Sequence, residues 1–172
     1  MKRILFICLG NICRSCTAQT ILQHIVDTEG LTDQFHIDSA GILDYHEGEM
    51  ADSRMRKHAA RRGYVITHRS RPVRPEDFLQ FDYVIGMDDS NIRDLKRIAA
   101  PIGHQAKVHR MTQWCRKYPS PDVPDPYYGG DQGFEHVLDL LEDACQGLFE
   151  EMTSEPAQTQ QFAKKQKKTG ER

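Results

Sequence analysis

The chain has 172 residues, 28% of them charged, and a formal net charge of −2. That length favours one domain with a core of ordinary size, and the balanced charge gives no sign of a nucleic-acid surface. No stretch is long enough to span a bilayer, which argues against a membrane protein. Met1-Lys2-Arg3 and the apolar residues behind it imitate a signal peptide only faintly, because the run is short and meets Asn11 and Arg14 before any small-residue cleavage site. Five cysteines, with Cys8, Cys13 and Cys16 close together, suit a reducing, cytoplasmic compartment with reactive thiols better than a disulfide scaffold.

Taken in order, Ile4-Leu5-Phe6-Ile7 predicts a short buried strand. Ala18, Ile21, Leu22, Ile25 and Val26 then fall on one face of a helix that Gly30 can stop. Phe35 to Ala40 predicts a second strand ending at Gly41, and 42–51 reads as a surface loop. Asp52 to Arg62 predicts a basic helix, and Arg69 to Pro75 an irregular basic stretch. Pro75 to Phe78 predicts a short helix. Tyr83 to Met87 is a third strand, followed by a helix that Asp88-Asp89-Ser90 can cap and that turns Ile92, Leu95, Ile98 and Ala99 inward. Val108 to Met111 is a weaker fourth strand. Four prolines between Pro119 and Pro126 forbid regular structure there. After Gly130 the most regular helix carries Phe134, Val137, Leu138, Leu141, Cys145, Leu148, Phe149 and Met152 on one stripe.

Strands alternating with helices argue for a parallel sheet covered on both faces. The fold expected is a single-domain three-layer αβα sandwich with a central four-stranded parallel sheet over 1–152. The composition changes at Thr153, and 153–172 reads as a solvated, disordered Lys-rich tail. In such sheets ligands sit beyond the carboxyl ends of the strands, where Cys8, Asp38-Ser39 and Met87-Asp88 all fall.

Chemistry concentrates in Cys8-Leu9-Gly10-Asn11-Ile12-Cys13-Arg14-Ser15. A loop between a strand end and a helix start aims its free N–H groups at one spot, and the helix dipole adds to their field, so an anion belongs there. Arg14 closes the loop with a planar fork suited to two phosphate oxygens. The same field favours a sulfur anion, making Cys8 a nucleophile beneath a tetrahedral phosphate. Cleaving a phosphate ester also needs a proton for the departing oxygen. Spacing alone does not choose the acid among many Asp and Glu residues, although Asp125 on its Pro-pinned loop is attractive.

The loop resembles the C-x-G-N-x-C-R-S motif of the low-molecular-weight protein tyrosine phosphatase family. Asp38-Ser39-Ala40-Gly41, Phe81 to Asp88 and Asp125-Pro126-Tyr127-Tyr128-Gly129 resemble further family segments in family order, so the likeness runs from about Lys2 to about Met152. The resemblance implies hydrolysis of phosphotyrosine in proteins or peptides through a phosphocysteine, with inorganic phosphate as product and without metal or cofactor. It makes Cys8 the nucleophile, Arg14 the phosphate clamp and Asp125 the general acid. Asn11, Ser15, Ser39 and His68 match a hydrogen-bonded brace under the loop, and Tyr45, Tyr127 and Tyr128 match aromatic positions at the mouth. Cys13 matches a cysteine able to form a reversible disulfide with the nucleophile. A monomer, or at most a weak dimer, is expected. The chain departs from the family at Cys16, where proline is usual, and at Gln19, where glutamate is common.

Three rival readings are weaker. Cys8, Cys13 and Cys16 follow the C-x₄-C-x₂-C spacing of an iron–sulfur site, but Arg14 lies inside the loop and no fourth cysteine is near. Arsenate reduction needs relay cysteines mid-chain, and none falls between Cys16 and Cys115. Phosphoarginine hydrolysis goes with threonine where this chain has Ile12.

Overall fold

In the computed structural model the described residues are 1–169, with side chains through 154. Four strands, β1 (Lys2–Cys8), β2 (Phe35–Gly41), β3 (Tyr83–Gly86) and β4 (Val108–Arg110), form one sheet in the order β2-β1-β3-β4. Every pairing is parallel: β1 runs beside β2 from Lys2↔Phe35 to Cys8↔Gly41, and beside β3 from Ile4↔Tyr83 to Ile7↔Gly86. The weak fourth strand is held by Val84↔Val108 and its neighbours.

The alternation of β1 divides the core. Ile4 and Phe6 pack toward α1 (Arg14–Thr28), α2 (Ser53–Arg61) and α5 (Asp131–Thr169), while Leu5 and Ile7 pack toward α3 (Asp77–Gln80) and α4 (Asp89–Ala99). Helices thus cover both faces, giving the three-layer αβα sandwich expected. Ala18, Ile21, Leu22 and Val26 are the buried stripe of α1, and Phe134 through Met152 that of α5. The expected Lys-rich tail falls, from residue 155 onward, outside the residues whose side chains are described.

Among the boundaries that differ from the sequence reading, two have a visible physical cause. The short helix begins at Asp77 because the Asp77 carboxylate accepts from the Arg74 N–H at 2.8 Å, folding Pro75 into the turn before it. The fourth strand stops at Arg110, where Met111–Trp114 forms a 3-10 turn lying against α5. Gly147 permits that approach: a Cβ there would collide with the Trp114 carbonyl oxygen. Just beyond, the Asp143 carboxylate on α5 accepts from the N–H groups of Arg116, Lys117 and Tyr118 at 2.9 to 3.1 Å. The proline-rich segment 119–126 therefore leaves from a fixed root.

Strand order reverses at β1, whose neighbours β2 and β3 leave it on opposite sides. A crevice at the carboxyl ends of β1 and β3 follows from that reversal, and Cys8 is the last residue of β1.

Candidate active site

From Cys8 the chain turns through Leu9–Cys13 into α1, whose first turn is buried. Asn11 takes φ +59°, a left-handed conformation that asparagine tolerates better than most residues. This turns its N–H onto Cys8 Sγ at 3.3 Å, while Ser15 Oγ lies 3.0 Å from the same sulfur. The side chain of Asn11 is spent equally fully. Its Nδ2 donates to Ser15 Oγ at 2.7 Å and to Ser39 Oγ at 3.0 Å, and its Oδ1 accepts from His68 Nε2 at 2.9 Å and from the Arg71 N–H at 3.1 Å. Asn11, Ser15, Ser39 and His68 thus meet in one network under the loop.

The network continues outward. Ser39 Oγ donates to Gln19 Oε1 at 2.6 Å, so an amide oxygen accepts at the position where glutamate is common in the family. Ser70 Oγ donates to the Gly10 carbonyl at 2.9 Å, and Gly41 brings β2 so close that a Cβ would stand 3.1 Å from Leu9 O. Burial pushes the His68 pKa down, against the pull of Asp38 and with the push of Arg71. The acceptor oxygen of Asn11 requires a proton on Nε2.

Arg14 is 2% exposed and holds two segments at once. Its Nη1 donates to Asp88 Oδ2 at 2.7 Å and to the Val123 carbonyl at 3.0 Å, and its Nη2 lies 3.6 Å from Asp125 Oδ2. The other oxygen of Asp88 caps α4 by accepting from the Asn91 N–H at 2.8 Å. Burial alone would lower the Arg14 pKa, but Cys8, Asp88 and Asp125 hold it above the ordinary value, so the guanidinium stays charged.

Asp125 reaches this spot from the proline-rich segment, which Val123 N–H ties to the Met87 carbonyl at 2.9 Å. Its Oδ1 accepts from the Tyr127 N–H at 3.0 Å. Cys8, Leu9, Gly10, Ile12, Cys13, Arg14 and Asp125 share one pocket of about 320 Å³ with Tyr45, Tyr127 and Tyr128. Tyr128 is 93% exposed and Tyr45 79%, so both stand at the rim. Tyr45 meets the His46 ring edge-on at 4.8 Å. Burial pushes the neighbouring thiols Cys13 and Cys16 up, and Cys8 adds to both. All five cysteines are free.

Every residue singled out from the sequence lies at this one place. Sequence reasoning missed Asp88 as the partner of Arg14, seeing only a helix cap at a strand end. It named Gln19 only as a departure from the family, and it missed Ser70 and Arg71 under the loop and Leu43 and His46 in the pocket wall. Their only signal was position, in segments that the fold returns to the carboxyl edge of the sheet.

The arrangement provides a sulfur among N–H and O–H donors, a fixed cation and a carboxylate across one pocket. Residues 3–159 match the family model for low molecular weight phosphotyrosine protein phosphatase. A low molecular weight protein-tyrosine-phosphatase of Streptomyces coelicolor is 38% identical, over 86% of this chain and 91% of that one. A protein tyrosine phosphatase from Entamoeba histolytica superposes with a TM-score of 0.87 at 42% identity, covering 91% of this chain and 99% of that one. An arginine phosphatase from Drosophila gives 0.82 at 29% identity, covering 88% of this chain and 98% of that one. The chain belongs to the low molecular weight phosphotyrosine protein phosphatase family.

Proposed function

We propose that the protein hydrolyses phosphotyrosine in proteins or peptides through a phosphocysteine on Cys8, releasing inorganic phosphate. The observation that carries this is the shared pocket of Cys8, Arg14 and Asp125, with Asn11 N–H and Ser15 Oγ directed at the sulfur. In the first step the Cys8 sulfur attacks phosphorus, the ester P–O bond breaks, and Asp125 gives its proton to the leaving phenolate. In the second, Asp125 takes a proton from water as the water oxygen attacks phosphorus, and the P–S bond breaks. Arg14 and the loop amides hold the equatorial oxygens throughout. With that stabilisation supplied by the chain itself, the reaction calls for no metal or cofactor.

Ile12 and the tyrosines at the rim favour an aryl phosphate over phosphoarginine, the alternative raised by the Drosophila relative's name. The partners are phosphotyrosine proteins, and the enzyme works as a cytoplasmic monomer. Among the described residues no helix is long and apolar enough to cross a membrane. Cys13, in the same pocket wall as Cys8, is the partner for a reversible protective disulfide.

The test compares kcat/KM on phosphotyrosine, phosphoarginine and phosphoserine peptides in chelator, before and after reduction. Preference for phosphotyrosine supports the reading, and preference for phosphoarginine overturns the substrate assignment. Rapid acid quench should capture phosphorus on Cys8; its absence during turnover would remove the covalent step.

A further inference from the structure

Asp52 and Arg54, at the start of α2, lie outside the catalytic set yet touch both loops of the pocket. The Asp52 N–H donates to the Ile12 carbonyl of the phosphate loop at 2.8 Å. Its carboxylate caps α2, accepting from the Arg54 N–H at 2.8 Å, and holds the Arg54 side chain through Nε at 3.2 Å and Nη2 at 3.1 Å. From there Arg54 Nη2 donates to the Tyr127 carbonyl at 2.9 Å. The guanidinium also lies 5.4 Å from the centre of the Tyr127 ring and 4.9 Å from that of Phe134 on α5. Tyr127 in turn donates its N–H to Asp125.

We propose that Arg54 is a positioning residue that fixes the Asp125-Pro126-Tyr127 turn against the phosphate loop, setting where the proton is delivered. An unbroken chain of bonds carries this, from Ile12 through Asp52 and Arg54 to Tyr127 and Asp125. It adds to the anchors at Val123 and at buried Pro126, whereas Arg14 reaches Asp125 only at 3.6 Å. The planar fork matters as much as the charge: one guanidinium grips a carboxylate and a carbonyl while lying over two rings, a geometry an ammonium reproduces less well. The inference rests on Asp125 being the proton donor, so its test separates the two.

Arg54→Met is compared with the unaltered enzyme on phenyl phosphate, a poor leaving group, and p-nitrophenyl phosphate, a good one. The expected result is a loss in kcat/KM of roughly 10-fold on phenyl phosphate, the scale of a small misplacement of a catalytic group. The loss on p-nitrophenyl phosphate should be clearly smaller, with inhibition by inorganic phosphate unchanged as a check on the fold and the phosphate loop. Arg54→Lys should show the same pattern more weakly. In an Asp125→Asn background Arg54→Met should cost nothing further. Equal losses on both substrates, or an undiminished loss in that background, would overturn the role of Arg54. If Asp125→Asn itself kept the ordinary leaving-group dependence, the assignment of Asp125 would fall, and that of Arg54 with it.

Discussion

The floor of the pocket and its rim differ in how firmly each side chain is held. Asn11 spends its whole amide and its backbone N–H on four neighbours and the sulfur, and Asn11, Ser15 and Ser39 are all essentially buried. Tyr128, within the same pocket, is 93% exposed and touches the Tyr127 ring. Preorganised donors cost no rearrangement at the moment of reaction, so a rigid floor suits charge stabilisation. A looser rim suits admission of substrates that differ beyond the phosphate.

The largest expected effect tests the floor as a chemical unit. Cys8→Ser should abolish turnover while inorganic phosphate still binds, measured by calorimetry; residual turnover near that of the unaltered enzyme would break the contrast. Next comes the carboxylate between the two regions. Asp125→Ala should slow phenyl phosphate hydrolysis by roughly 10²–10⁴-fold, the worth of acid–base catalysis, and p-nitrophenyl phosphate by less. Equal losses would take Asp125 out of the acid role.

Asn11→Ala should cost about 10²-fold on both substrates alike, because it loosens the floor without touching Asp125. A leaving-group-dependent loss would show that floor and acid are not separate. At the rim, Tyr128→Ala should raise KM for a phosphotyrosine peptide by roughly 2–10-fold, the worth of one aromatic contact, leaving kcat alone.

The smallest effect concerns stability. Burial holds the folded pKa of His68 below the ordinary histidine value, so between the two values the unfolded chain binds more protons. The contribution of neutral His68 is complete above the ordinary value and is lost as pH falls through it toward the folded one. Urea melts from about pH 7 to about pH 5 should show stability falling, and His68→Asn should flatten that slope.

The fold was legible because apolar period and punctuation agree. The Ile4–Ile7 run, the Ala18–Val26 stripe and the Asp88 cap each specify one element locally. The phosphate loop was legible for the same reason, since Cys8, Asn11, Arg14 and Ser15 are neighbours in the chain. What lay hidden were pairings made only by the crossovers. Arg14 meets Asp88 across 74 positions of sequence and Arg54 meets Tyr127 across 73. No local pattern marks either, and a helix-capping aspartate reads the same whether or not its second oxygen holds an arginine. Asp125 sits between these cases: chemistry demanded an acid, and only family likeness pointed to one.

Gly147 lies on the far helix, yet its missing side chain bears on the segment that carries Asp125. The Trp114 turn nestles where that side chain would be, Asp143 one helical turn away anchors the next residues, and the tether ends at Asp125. A single methyl group at Gly147 would thus be felt through the connecting chain, as a shift in the seat from which Asp125, the proposed proton donor, is slung.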